Sequence, residues 1–554
     1  MNLARSLLAF AVALGCRRAT PEPPARFTDV GAPGSAAPDV ARPCAPCHRA
    51  QYEAWQASQH ARAQRPIDAR DTEALRALSP ELRSEPLRAV IAVEPLRQYL
   101  VARADGRVQV LDPAWDPSQK QWFSIFGADR PAPHEWSHWT QRGMNWNAWC
   151  AACHTTGFVK GYDARSDAYR SAWSAAGVAC AQCHGAMPEG HRRSQNPPWR
   201  ARVADTCASC HARREELSGA FRAGERFDDH YRLTLADTPG AYHPDGQCAD
   251  EDFEYASLSL SRMGQRGVSC NDCHDPHSGR LRAPITRDEL CLTCHGNGAR
   301  GAPVIDATHA HHPAASDGAR CVNCHMPAAT YMQRDRRRDH GFTIPDPTLT
   351  RALGVPNACS GCHSDRPVTW AEENVTAWFG EGHHGAVRRR ARVVASAMRG
   401  DTSVLRELAS LAMREDNDAW RASLVAMLAP WADRPEADEV FTSALRDRSP
   451  WVRAAAARSV SHGTHVDALT RLRHDASRVV VVDGAWATRE TLRGDREARR
   501  ALVQWLDVTC DQPAGALRQH ELARVEGRDR EAAMWLERAR RWDPTISDAW
   551  GSGR

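Results

Sequence analysis

Apolar residues are spread unevenly along this chain, and the pattern divides it. Leu7 to Leu14 (LLAFAVAL) form a short apolar run behind the positive charge of Arg5. That run is too short to span a bilayer, which needs about 18 residues or more, and no other run comes near that length. Residues 19–43 are rich in Pro, Ala and Gly and carry no apolar period, so an extended tether is expected there. From residue 44 to about 370, long amphipathic stretches are scarce, which predicts short helices joined by long loops. Residues 386–500 then become rich in Ala, Leu and Arg at helical period. Within them a weak repeat recurs about every 30 residues: EDNDAWRASLVAML (415–428), DRSPWVRAAAARSV (447–460) and HDASRVVVVDGAWA (474–487). The fold class expected is therefore mostly α with long loops.

Composition narrows the function classes. The 554 residues are enough for roughly three or four domains of ordinary size. Lys+Arg of 72 against Asp+Glu of 68 leaves a net +4, too balanced for a dedicated nucleic-acid binder. Hydrophobic content of 42% and charged content of 25% suit a globular chain rather than a disordered or polytopic one. The basic side chains are almost all arginine; the lysines are Lys120 and Lys160. The outlying counts are 19 Cys and 25 His, most of them before residue 385.

Sixteen of those cysteines fall into eight Cys-x-x-Cys-His motifs. In order they are Cys44/Cys47/His48, Cys150/Cys153/His154, Cys180/Cys183/His184 and Cys207/Cys210/His211. The remaining four are Cys270/Cys273/His274, Cys291/Cys294/His295, Cys321/Cys324/His325 and Cys359/Cys362/His363. A zinc site or a redox disulfide explains a lone Cys-x-x-Cys, but not a histidine after all eight. The pattern is the attachment signature of c-type haem. Two thiols at i and i+3 share one side of a helical turn and form thioethers with the vinyl groups. The adjacent histidine reaches the iron as proximal ligand. Eight covalently bound haem c groups, each with its iron, are expected. Cys248 and Cys510 have no nearby partner and read as small buried thiols.

Low-spin iron takes a second ligand, and 13 further histidines precede residue 385: His60, His134, His138, His191, His230, His243, His277, His309, His311, His312, His340, His383 and His384. Ligation by two histidines throughout is within this supply, and so is one open iron. About 16 haem propionates would also suit the arginine excess, with Arg334, Arg336, Arg337 and Arg338 as candidate partners.

Several stretches carry a family resemblance: HRAQYEAWQASQH after motif one, EWSHWTQRGMNWNAWCAACH, GYDARSDAYRSAWSAAGVACAQCHGAMPEGH, YHPDGQ, GVSCNDCHDPHSGRL, CVNCHMPAATYM, RRRDHGFTIPDPTL and NACSGCH. Over about residues 44–380 they resemble exported multihaem cytochromes with a core like that of cytochrome c nitrite reductase and of the doubled-CxxCH group. They are distantly similar to the tetrahaem cytochrome of ammonia oxidisers, to pentahaem nitrite reductases and to octahaem hydroxylamine oxidoreductase. The resemblance implies His60, His138, His191, His243, His277, His311 or His312, and His340 as distal ligands, with His230 as candidate for the eighth place. Two departures weigh against catalysis. No motif ends in the lysine that marks the substrate haem of pentahaem nitrite reductases, and no tyrosine is identified with the cross-linked one of hydroxylamine oxidoreductase. Electron transfer to or from a respiratory partner is the expectation. The alternative is an oxidoreductase of nitrite, hydroxylamine or sulfite type acting at one five-coordinate haem, so catalytic residues are left unassigned.

The flanks complete the layout. Ala13-Leu14-Gly15-Cys16 resembles a bacterial lipobox, though with Ala13 where leucine is usual, and implies lipidation of Cys16; an ordinary secretory signal is the alternative. The recurring stretches resemble HEAT-type helix pairs, which stack because neither helix buries its apolar face alone. The tail from Ala516 resembles a tetratricopeptide unit, with Ala533, Leu536, Ala539 and Asp543-Pro544 in matching places. The expected organisation is a signal at 1–16, a tether at 17–43, an octahaem domain at 44–384, HEAT-like repeats at 385–500 and a TPR-like end at 501–554. Expected partners are redox proteins of the cell envelope and a protein on the helical repeats, with no nucleic acid. The expected location is the periplasm or envelope of a bacterium, with membrane association through a lipid anchor.

Overall fold

The computed structural model describes residues 40–546 apart from 93, 186–201, 220, 252, 307, 383, 462 and 493. The signal with Cys16, most of the tether, and His191 lie outside the described residues. Helices dominate, as expected, and those before residue 347 are short; Cys180–His184 and Cys321–His325 are five residues each. No described helix is long and apolar enough to cross a membrane.

Small two-stranded pairs recur among the helices, and the largest departure from the helical expectation is a four-stranded sheet. Between motifs one and two, β1 (Gln64–Pro66), β2 (Leu87–Ile91), β3 (Gln98–Ala102) and β4 (Val108–Val110) form an antiparallel sheet in the order 1-2-3-4. A hairpin of Pro113–Asp116 and Gln121–Ser124 follows. Both sheet faces are covered. Leu87, Tyr99 and Val101 pack with Leu75 of the helix Ala69–Leu78, while Ala89, Leu100, Val108 and Val110 pack with Trp146, Ala151 and Trp173. The second face anchors the motif-two turn: Trp146 donates Nε1–H to Gln64 Oε1 at 3.0 Å, and Asn147 Oδ1 accepts from Val108 N at 2.7 Å.

After residue 384 the helices lengthen and stack. Asp418–Ala426, Pro450–Ser459 and Arg478–Ala487 pack successively side by side. Starts are set locally: Asn417 Oδ1 accepts from Trp420 N at 2.9 Å, and Pro435, Pro450 and Pro513 take first-turn positions where a missing N–H costs nothing. The repeating arginine in the sequence forms the rungs. Arg421 grips Asp447 with two bonds of 2.8 and 2.9 Å, and Arg453 grips Asp475 with two of 2.8 Å. Each aspartate also accepts from a backbone N–H two residues on, Ser449 and Ser477.

This stack is packed into the segment before it. A single hydrophobic core includes Ala208, Leu217, Phe227 and Leu260 together with Leu424, Phe441, Val480 and Leu506. Trp420 donates Nε1–H to Leu260 O at 3.2 Å, Asn417 Nδ2 to Ser259 O at 2.9 Å, and Trp451 Nε1–H to Asp228 at 2.6 Å. Arg232 bridges Glu215 and Asp483, and Arg518 pairs with Glu215. The boundary expected at residue 385 is thus no break in the packing.

Candidate functional site

Each motif sits on a helical turn. The histidine N–H of motifs one, two, four, five and eight bonds the carbonyl of the first cysteine at 2.8 to 3.1 Å, which brings the thiols at i and i+3 to one side. Local caps fix several turns: Ser269 and Asp272 form a capping box for motif five, and Asn357 caps motif eight. None of the sixteen motif cysteines is paired in a disulfide. Cysteines from each of motifs two to eight line one continuous cavity of about 2390 Å³.

Motif one departs from this shared interior. The sequence sets Cys44 and Cys47 on the same footing as the other motif pairs, but neither lines the cavity to which each of the other seven motifs contributes at least one cysteine. The turn Arg42–Cys44 and the helix Arg49–Gln56 on either side of Cys47 bury no side chain. What the turn keeps is its own geometry: Cys47 N–H bonds Cys44 O at 3.3 Å and His48 N–H bonds the same carbonyl at 2.9 Å.

The histidines meet in pairs. His60 faces His211 with ring centroids 6.3 Å apart, His277 faces His184 at 6.1 Å and His340 faces His274 at 6.5 Å. His309 faces His325 and His312 faces His363, both at 6.1 Å. Two imidazole nitrogens on opposite sides of one iron, each at about 2.0 Å from it, put ring centroids roughly 6 Å apart. These five pairs fit that spacing, and each joins one motif histidine to one histidine from elsewhere.

Second contacts orient the rings. His154, His295 and His325 each place Nδ1 on a backbone carbonyl, those of Ala63, Pro303 and Thr343, at 2.9 to 3.0 Å. His340 and His312 use Arg338 O and Ala310 O at 3.0 and 2.6 Å. A proton held on Nδ1 leaves Nε2 for metal. Burial holds His60, His154, His184, His274 and His325 below the ordinary imidazole range, favouring the neutral ligand form. His211 is raised instead, first by its hydrogen bond to the Glu254 carboxylate, Nδ1 to Oε2 3.2 Å.

Other sequence candidates lie elsewhere. His138 binds Thr140 Oγ1 at 2.8 Å and lies against Trp139. His230 sits between Ser218 Oγ at 2.5 Å and Glu225 Oε2 at 2.9 Å, with Phe221 on its edge. His243 closes a turn, its N–H on Gln247 O at 2.8 Å. His311 stacks on Trp378 at 4.5 Å and 3°. None of these four stands in the paired arrangement. His309 does, although neither motif nor resemblance singled it out. His311 has φ 51°, a left-handed turn that sends its ring onto Trp378 while His309 and His312 face two different motifs. Three of the arginines proposed for propionates are held by protein acceptors: Arg334 by Asp116 at 2.6 Å, Arg337 by Glu251 and Asp335, and Arg338 by the carbonyls of Val322 and Met326.

Electrostatic neighbours give the order of the turns. His48 of motif one faces His184 of motif three, and Cys183 faces Cys207 and Cys210 of motif four. Cys153 of motif two hydrogen-bonds motif four at Cys210. Cys207 meets Cys270, Cys273 faces Cys291 and Cys294, Cys291 meets Cys321, and Cys324 faces Cys359 and Cys362. The sites therefore run one, three, four, five, six, seven, eight, with motif two joining at four.

A model of the family cytochrome c554 and c-prime matches residues 43–87 and 130–185, which hold motifs one to three. A cytochrome c3 model matches residues 263–335, which hold motifs five to seven. No curated protein matches. Among solved structures, the crystal structure of outer cell wall cytochrome OcwA is similar at a TM-score of 0.46 and 17% identity, over 84% of this chain and 98% of that one. The family matches and the attachment motifs together make the chain a multihaem c-type cytochrome, with haem covalently bound and electron transfer as its chemistry.

Proposed function

We propose that this multihaem cytochrome holds eight haem c groups and passes electrons along them between partners in the cell envelope of a bacterium. Haem iron supplies one-electron exchange between its ferric and ferrous states. The chain's own residues hold it: the paired thiols of each motif would anchor the macrocycle, and the motif histidine would bind iron from one side. His60, His277, His340, His309 and His312 would bind from the other side at motifs four, three, five, seven and eight. The observation that carries this reading is the set of five imidazole pairs spaced for a shared iron. Two axial imidazoles leave no open position on an iron, which suits transfer rather than substrate binding. The succession of neighbouring turns, with motif two joining at four, supports a conducting row with one branch. The short run at Leu7–Leu14 and Cys16 support export and a lipid anchor, and the arginine-runged stack supports HEAT-like repeats that brace the row and offer a protein-binding face.

The tests are spectroscopic. A pyridine haemochrome assay should return eight haems per chain, and a stable value of six or fewer sinks the count. His309→Ala and His340→Ala should each add one haem's worth of high-spin ferric signal and a new cyanide-binding site, with haem content unchanged. His311→Ala should leave the spectrum as it was. An unchanged spectrum in both of the first two variants removes the ligand assignment.

A further inference from the structure

The junction of the row differs chemically from motifs two, six and seven. Motif four is where the succession branches: Cys153 of motif two hydrogen-bonds Cys210 O, the motif-five helix packs beside it, and Cys183 of motif three is its electrostatic neighbour. Its histidine is also set apart by its acceptor. His154, His295 and His325 give Nδ1 to neutral backbone carbonyls, whereas His211 gives Nδ1 to the carboxylate of Glu254. Asp275 lies 3.6 Å from His277 Nδ1, outside hydrogen-bond reach. Glu254 is well held. It opens the helix Glu254–Leu260, whose second residue, Tyr255, donates its backbone N–H to His211 O at 3.0 Å. One helix start therefore fixes both the main chain and the ring of His211. That helix is in turn tied to the stack through Ser259, Leu260 and the shared core.

A charged acceptor draws the Nδ1 proton more strongly than a carbonyl does, so Nε2 becomes a better electron donor to iron. Stronger donation stabilises the ferric state over the ferrous and lowers the reduction potential. Building on bis-histidine ligation at motif four as proposed above, we infer that Glu254 makes the branch-point haem site the low-potential site of the row. Glu254 is a positioning residue here: it acts through His211 and touches no iron. An electron arriving from motif three or motif two must climb to motif four before falling to motif five. The junction then conducts readily only from donors reducing enough to make that climb, which is a means of selecting partners.

Spectroelectrochemical titration of the holoprotein tests this at fixed pH. Glu254→Gln keeps the shape and a hydrogen-bond acceptor but removes the charge. It should raise the lowest-potential component, changing its ferric/ferrous equilibrium at least tenfold, which is 59 mV for a one-electron couple, and move it further than any other component, the motif-five site beside Glu254 included. Glu251→Gln removes a carboxylate from the same cavity that pairs with Arg337 and not with a histidine; it should not move that component. Glu254→Asp, which keeps the charge at shorter reach, should shift it less than the glutamine does. If Glu254→Gln loses haem, Glu254→Asp is read alone, and an upward shift of the lowest component is still expected. An unmoved lowest component, or equal shifts in Glu254→Gln and Glu251→Gln, overturns the inference. Haem count and spin state taken on the same samples report separately on the ligation reading, so the two fail distinguishably.

Discussion

Exported without the machinery that attaches haem, the chain should leave residues 261–346 unfolded while the C-terminal helices keep most of their signal. Between Leu260 and Pro347, Val322 alone among the described apolar side chains is buried against protein. Motifs five, six and seven all lie in this stretch. Ordering a residue's backbone costs about 1–2 kcal/mol, and a fully buried valine returns about 1.5–3 kcal/mol. One valine cannot order such a segment, so the macrocycles must form its core. The helices from Leu405 onward have side chains of their own to bury, among them Leu424, Phe441, Val480, Leu502 and Trp505. Limited proteolysis of the haem-free chain should therefore cut first within 261–346, with far-ultraviolet dichroism retaining the larger part of the helical band. A haem-free chain that protects residues 261–346 as the holoprotein does would refute this account of the core.

What the sequence made legible follows from range. The Cys-x-x-Cys-His motif is a local object, one helical turn, so its chemistry survives in the linear string. Where that turn sits is not local: Cys44 and Cys47 read like every other motif pair, yet neither lines the cavity to which each of the other seven motifs contributes a cysteine. The stack's rungs were half legible: Arg421 and Arg453 recur in register, but their partners Asp447 and Asp475 become visible as partners only when successive helices lie side by side. The sheet was not legible because its strands are short and covered on both faces. β3 reads Gln-Tyr-Leu-Val-Ala with almost every side chain buried, which erases the polar alternation of a half-exposed strand. The histidine pairs are long-range, so counting could not order them. In His309-Ala310-His311-His312 the backbone sign at His311 decides which rings face a motif, and no composition rule carries it. Glu254 has no motif at all; its role arises from the fold that brings it to His211.

The second large effect is expected at a lysine, in a chain whose basic side chains are otherwise arginine but for Lys120. Lys160 is largely buried where the segment after motif two meets the last helices. Its ammonium donates to Val508 O at 2.5 Å, in the final turn of the helix Arg496–Thr509, and pairs with Asp511 at 3.3 Å and Glu216 at 3.2 Å. Asp511 is almost wholly enclosed, with 1% of its side chain exposed, and also accepts from Tyr169 Oη at 2.9 Å; its backbone carbonyl takes Arg142 at 3.1 Å. Burial lowers the Lys160 pKa, but Asp511 and Glu216 outweigh it and hold the ammonium above its ordinary range. A lysine raised in the folded state contributes its stability in full below the unfolded pKa of about 10.4, and that contribution fades only as pH climbs through the folded value. Lys160→Met should accordingly cost about 3–5 kcal/mol, because it strands a buried carboxylate, and the deficit should stay constant between about pH 6 and pH 9 as far as Lys160 is concerned. Adding Asp511→Asn should recover part of the loss, since removing both charges is less costly than orphaning one. The measurement is urea unfolding of the holoprotein followed by tryptophan fluorescence, with haem absorbance recorded in parallel. The stack should come away at lower urea with the haems still attached, since the thioethers do not depend on this contact. A change below about 1 kcal/mol would place Lys160 among surface ion pairs and deny it a part in joining the stack to the haem-bearing segment.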